Sequence, residues 1–146
     1  MKQKFRRAVF VVVYARTSEG VKYLVLKRKL HWKGWESPKG GIEKNETEIS
    51  AVKRELFEET GKKALNIKKF NFSGKYFYRK NLTDRGGLIG QNFKLYSAEV
   101  EYGNVKIDEK EHSEYKWLDF KKAIKKLTWA NQKKNLKIVN ELINHN

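Results

Sequence analysis

Between Gly40 and Gly61 the chain places four glutamates and an arginine at offsets that one α-helix would gather together. Gly40 is followed by five residues and Glu46, then by seven residues and Arg54-Glu55, Leu56, Glu58-Glu59 and Gly61. Ile49, Val52 and Leu56 recur at helical spacing, which predicts an amphipathic helix over Thr47 to Thr60. Asn45 or Thr47 can cap its start, Glu46 and Glu48 suit its first turn, and Gly61 can end it in the left-handed region. On that helix Glu55, Glu58 and Glu59 fall at i, i+3 and i+4, on one face that the small Ala51 leaves uncrowded. Three carboxylates so close repel one another unless a cation sits between them. Hard oxygen ligands of this kind suit Mg²⁺, with Mn²⁺ as the alternative. A solvated acidic face is the ordinary explanation of a glutamate cluster, but it leaves the preceding glycine pair and Arg54 unexplained. In Pro38-Lys39-Gly40-Gly41, proline stiffens the turn and the glycines let the backbone approach a ligand closely.

This spacing resembles the Nudix box of the Nudix hydrolases, which cleave nucleoside diphosphates linked to another moiety. Eight of the nine fixed sites agree, and Lys62 departs where the family prefers an aliphatic residue. The resemblance implies an α/β fold, an α/β/α sandwich around a mixed central sheet. It implies a metal site built from Glu55, Glu58 and Glu59 with a backbone carbonyl of Lys39 or Gly40. It also implies that Arg54 pairs with Glu46 and orients the catalytic carboxylates. A second segment, Glu111-His112-Ser113-Glu114-Tyr115-Lys116-Trp117-Leu118, is similar to the acidic-His stretch ending in Trp-Leu that these hydrolases carry after the main sheet. By that likeness Glu111 reaches back to the metals, with Glu109 and Glu114 as rivals, and His112 can touch a phosphate. Trp32, Trp35, Pro38-Lys39-Gly40 and the tail from Ala123 to Ile143 resemble the diadenosine tetraphosphate hydrolase group, although Gly41 stands where that group often has His. Gly90-Gln91 before an aromatic strand is similar instead to the bacterial RNA 5′-pyrophosphohydrolases.

A chain of 146 residues suits one domain, taken here as 1–146. It has no cysteine, so disulfides and thiolate metal sites are excluded, and a reducing cytoplasmic location is expected. The formal charge of +16 favours polyanions: nucleotides, polyphosphates or RNA. Lys2 to Arg7 followed by Ala8–Ala15 superficially resembles an export signal. The apolar run is short, however, and leads through Ser18-Glu19-Gly20 into a second run, as a β-hairpin would. No segment is long enough to span a membrane. Strands are expected at Ala8–Ala15, Val21–Arg28, Leu65–Gly74, Tyr76–Lys80, Gln91–Tyr102 and Tyr115–Leu118. Lys29–Ser37 and Asn81–Gly90 read as loops, and Phe120–Leu127 and Asn131–Ile143 as helices.

Strand alternation puts Tyr76 and Tyr78 on one face, where they could stack on a base or simply join the core. Lys27, Arg28, Lys39 and Arg79 are candidate phosphate contacts. The tail lysines, from Lys121 to Lys137, read as solvated helix faces that could also hold RNA. The expected reaction is metal-assisted hydrolysis of a phosphoanhydride, with Glu55 or Glu59 favoured over Glu111 as the base. Diadenosine tetraphosphate, split to ATP and AMP, is the first expected substrate. Pyrophosphate removal from RNA 5′ ends, clearance of altered nucleoside triphosphates and a non-catalytic binding module follow. The intact carboxylate set argues against the last.

Overall fold

The computed structural model describes residues 4–78 and 88–144. Arg79 and most of the expected 81–90 loop therefore lie outside the described residues. The chain begins with the strands β1 (Phe5–Thr17) and β2 (Gly20–Arg28), an antiparallel hairpin. The stretch expected to be loop up to the helix contains two three-residue strands, β3 (Gly34–Glu36) and β4 (Lys39–Gly41). Helix α1 spans Glu48–Thr60. After it come β5 (Asn66–Phe77), β6 (Gly90–Glu99), β7 (His112–Leu118), α2 (Phe120–Lys126) and α3 (Ala130–Asn144). The expected strands 65–74 and 76–80 merge, over the described residues, into one, β5, which ends at Phe77 and whose register against β6 shifts between Lys69 and Ser73.

The sheet runs β3-β2-β1-β6-β5, mixed because β1 and β6 are parallel and the remaining pairs antiparallel. β1 and β2 are paired only at their hairpin end, from Tyr14 to Thr17. Beyond that they part. β4 then takes the freed edge of β1, through Ala8, Val9 and Phe10, while β3 and β7 pair with β2. The sheet thus forks, and the Pro38 carbonyl bridges into the fork by accepting from the Val11 amide at 2.9 Å.

Residues Ala8 to Ala15 are all buried because β1 is covered on both faces, which explains its unbroken apolar run. Val9, Val11 and Val13 pack under α1 with Leu24, Leu26, Tyr96, Ala51, Val52 and Leu56. Phe10, Val12 and Tyr14 pack on the opposite side with Phe93, Leu95, Ala123, Leu136 and Val139, beneath α2 and α3. This is an α/β/α sandwich. Among the described residues no helix is long and apolar enough to cross a membrane.

Candidate active site

Helix α1 is fixed at both ends by its own sequence. Thr47 is the N-cap and accepts the Ser50 amide at 3.1 Å, while Gly61 takes the left-handed conformation (φ 72°) and returns its amide to Phe57. Burying Ala51, Val52 and Leu56 then sets the rotation of the helix, so that Ala51, Glu55 and Glu59 form one buried row facing the box loop. Glu58, one position off that row, is 55 % exposed at its side chain, so the three box carboxylates do not share one environment.

The loop is held from several directions. Ser37 donates its amide to Gln132 of α3 at 2.7 Å, and Thr128 exchanges hydrogen bonds with Trp35. The Lys39 amide donates to Glu59 Oε2 at 3.0 Å. Gly40 has a specific reason to be glycine: the Glu55 carboxylate lies directly where a β-carbon would stand. The backbone of Lys39-Gly40 is thereby brought against both Glu55 and Glu59.

Arg54 makes a two-pronged contact with Glu46, Nε to Oε2 at 2.8 Å and Nη2 to Oε1 at 2.9 Å. Its remaining donors reach Glu55 Oε1 and the Gly41 carbonyl, each at 2.8 Å. The Arg54 hydrogen bonds, reinforced by the Glu43 amide, hold the Glu46 carboxyl down at about 2. The opposite holds next door. Burial pushes Glu55 up to about 7, against the pull of Arg54 and with a further push from Glu58 and Glu111. Burial also raises Glu59 well above the usual carboxylate range, and Glu55, Glu36 and Glu111 add to the effect. Glu59 Oε1 is buried without a hydrogen-bond partner among the described residues.

Glu111 is half-buried immediately before β7, its carbonyl accepting the amides of Lys29 and Leu30, and its charge is felt by Glu55, Glu59 and Arg28. Its rivals lie apart. Glu109 is exposed, and Glu114 is paired with Lys27 at 3.3 Å on the surface. Lys27 is therefore occupied by a surface ion pair rather than turned to the carboxylates.

Two expected phosphate contacts are placed differently. His112 is not a loop residue: it belongs to β7, is 0 % exposed, and its Nε2 lies 2.8 Å from Glu36 Oε2 and 3.9 Å from Glu59 Oε1. Arg28 is 7 % exposed, with Nε on the Leu30 carbonyl and Nη1 on Glu36 at 3.2 Å. Neither faces solvent where a phosphate would arrive. Both serve Glu36, a fully buried carboxylate that sequence reasoning passed over in a Trp- and Gly-rich stretch. Burial alone would raise Glu36, but Lys39, the His112 hydrogen bond and Arg28 together outweigh it and keep the group ionised. Its signal in the sequence was a charged residue between Trp35 and Ser37-Pro38, and the structure pairs it in register with the buried Leu26. The ligand atoms of Glu36, Glu59 and His112 lie within 4.8 Å of one another.

Lys39 links this cluster to the aromatic face. Its Nζ lies 3.7 Å from Glu36 Oε1 and donates to the Tyr76 hydroxyl at 2.9 Å, over the rings of Tyr76 and Phe10. Tyr76 in turn donates to Gln91 at 2.6 Å, and Tyr78 packs beside it with ring centroids 6.1 Å apart. Both tyrosines are half-buried, and Tyr76 packs against the core beneath α2 and α3.

The family model of the NUDIX domain matches residues 4–138. The chain belongs to the Nudix family. Among curated Nudix relatives it is 34 % identical over 123 residues to the RNA pyrophosphohydrolase of Pelagibacter ubique, covering 78 % of this chain and 76 % of that one. It is 26 % identical over 122 residues to the RNA pyrophosphohydrolase of Bartonella henselae, covering 73 % and 69 %. Among solved structures, the Ap4A hydrolase of C. elegans in a binary complex superposes with a TM-score of 0.77 at 22 % identity, covering 97 % of this chain and 99 % of that one, which establishes a shared fold. The protein is thus a Nudix hydrolase of nucleoside polyphosphates, with an acidic cluster that fits a divalent cation.

Proposed function

We propose that the protein hydrolyses a phosphoanhydride bond at the 5′ end of a nucleotide with the help of Mg²⁺ held by Glu55, Glu58, Glu59, Glu111 and the Gly40 carbonyl. The observation that carries this reading is the pair of buried carboxylates, Glu55 and Glu59, pressed against the Lys39-Gly40 backbone and only partly balanced, by one Arg54 donor and the Lys39 amide. Such a pair is costly to ionise in the bare protein and is stabilised by a cation. When bound, Mg²⁺ supplies charge neutralisation at the phosphate oxygens and acidifies a water.

The chain's own groups do the rest. Arg54 fixes Glu55 by one donor while its other donors lock Glu46 and the Gly41 carbonyl. Glu59 is oriented by the Lys39 amide. Glu55, held by one Arg54 donor beside the Lys39-Gly40 backbone, is placed to accept a proton from the attacking water. Lys39, poised between Glu36 and Tyr76, can swing to a phosphate oxygen. Tyr76 and Tyr78 offer rings for the base of the 5′ nucleotide. No covalent intermediate is required.

Triphosphorylated RNA is the first substrate to test. Two RNA pyrophosphohydrolases match over more than two thirds of either chain, and a charge of +16 suits a polyanion longer than a dinucleotide. Diadenosine tetraphosphate stands second, supported by Trp32, Trp35, the Pro38-Lys39-Gly40 stretch and the closing helix. The test incubates the protein and its Glu59→Gln variant with Mg²⁺ and each substrate. Pyrophosphate from RNA supports the first reading, and ATP plus AMP from the dinucleotide would move the protein to the second. Hydrolysis of neither would turn the test to single nucleoside triphosphates, and silence there too, together with nucleotide binding, would make it a non-catalytic module.

A further inference from the structure

Helix α1 does not cover the whole of its side of the sheet. Beyond its N-terminus, three neighbouring strands present a face that no other described residue covers, in cross-strand rows. One row holds Phe5, Gly90 and Phe77, the next Arg7, Asn92 and Lys75, and the third brings Lys94 beside Ser73. Arg7, Asn92, Lys94, Ser73 and Lys75 are all exposed, and with Ile42 they line an open groove of about 570 Å³. At its far end the Phe5 and Phe77 rings meet edge to face at 5.3 Å across Gly90, which has no side chain to separate them. Phe77 is 59 % exposed, and Lys75 Nζ lies 4.4 Å from the Phe5 ring centroid.

The charge of the groove is only partly balanced locally, by Glu48, whose carboxyl is lowered by the Tyr96 hydroxyl with help from Lys69 and Lys94. Among the described residues Arg7, Lys75 and Lys94 make no ion pair. The one carboxylate in the groove, Glu48, is taken up by the Tyr96 hydroxyl at 2.6 Å and Lys69 at 3.0 Å. The groove also adjoins the catalytic loop, since the Ile42 amide donates to the Arg7 carbonyl at 2.8 Å and Arg54 holds the neighbouring Gly41.

We propose that this face is a platform for single-stranded RNA, carrying the chain downstream of the nucleotide processed at Glu55 and Glu59. The proposal rests on the RNA reading above. Cations spaced along a groove take successive phosphates, an exposed ring takes a base by stacking, and Asn92 and Ser73 supply tolerant polar contacts. Uncovered lysines alone would suit any anion. The exposed Phe77 ring beside them, backed by Phe5, selects a ligand with flat apolar faces.

The test uses the full chain and a 5′-hydroxyl single-stranded RNA of about ten nucleotides, which lacks the reacting phosphates. The Arg7→Glu, Lys94→Glu double variant should weaken binding at least tenfold and make the salt dependence shallower, by about 0.7 in log–log slope for each phosphate that is no longer neutralised. Phe77→Ala should weaken binding on the order of tenfold and leave the slope unchanged. In turnover, the double variant should slow hydrolysis of long triphosphorylated RNA and spare a single nucleoside triphosphate. Failure of the unaltered protein to bind the 5′-hydroxyl RNA would overturn the proposal. So would an equal loss in a Lys121→Glu, Lys122→Glu control, which would mark the effect as bulk charge. A change of sedimentation in the variants would assign the face to a second copy of the chain instead. RNA bound at this face without pyrophosphate release would sink the substrate reading and leave the platform standing. RNA turnover indifferent to the variants would do the reverse.

Discussion

Glu46 and Glu55 are ligands of the same arginine, yet they are held in opposite states. Glu46 receives two Arg54 donors and a backbone amide, and its carboxyl is held at about 2. Glu55 receives one Arg54 donor in a buried setting beside Glu58 and Glu111, and is pushed up to about 7. Glu59, deeper still, has one oxygen on the Lys39 amide and the other without a hydrogen bond. The first arrangement is complete within the protein. The second is arranged for something the protein does not itself supply. An uncompensated charge costs stability, and it persists where a bound cation offsets that cost.

The largest blow to this contrast comes from Glu59→Gln. Hydrolysis should fall by roughly 10²–10⁴, while the metal-free protein, at a pH high enough to ionise the raised Glu59 carboxyl, melts at a higher temperature because that buried charge is gone. Activity that survives, or a lower melting point, would place Glu59 among the structural carboxylates with Glu46. Gly40→Ala comes next: a β-carbon displaces the Glu55 carboxylate, and Mg²⁺ affinity measured by calorimetry should drop by roughly 10- to 100-fold. Arg54→Lys acts from the other side. A single ammonium cannot reproduce the two-pronged contact with Glu46, so the rate should drop by roughly tenfold and the melting point should fall with or without Mg²⁺.

A gentler probe is pH. Glu55 has a folded value near 7 against an ordinary 4.5, so the folded state binds its proton more tightly than the unfolded state does. Its contribution to stability is therefore full below about 4.5 and is lost as pH rises through about 7. Denaturation of the metal-free protein across that window should show a downward slope that Glu55→Gln lessens, leaving the part due to Glu59, and that Mg²⁺ flattens. The smallest effect is expected from Glu58→Gln, at the exposed rim, with a rate loss below about tenfold. A loss as large as that of Glu59 would mean that exposure does not rank these ligands.

Helix α1, its Thr47 cap and its Gly61 terminus could be read from the sequence because each depends on neighbours within a few positions. The Arg54–Glu46 contact was expected from the family resemblance, and the structure places the two side chains together. Strands β3 and β4 could not be read that way. At three residues each they carry no period, and they exist because Leu26 and Val9 offer edges. The assembly of Glu36, Arg28 and His112 was hidden for the same reason: His112 comes from 76 positions away along the chain. A lone histidine after an acidic residue reads as surface loop until β7 is seen to pair with β2. Phe77 suffered from the alternation that singled out Tyr76 and Tyr78, since it faces the other side of the sheet.

The fork between β1 and β2 ties the reactive loop to the least movable part of the molecule. Val11 and Ile42 give their amides to the Pro38 and Arg7 carbonyls, so releasing the loop means breaking bonds of the central strand itself. Hydrogen exchange at these two amides should then require nearly global opening, as it does for a core strand. The loop would act as part of the same cooperative folding unit as the centre of the sheet, and denaturant would abolish metal binding and tertiary structure in one transition.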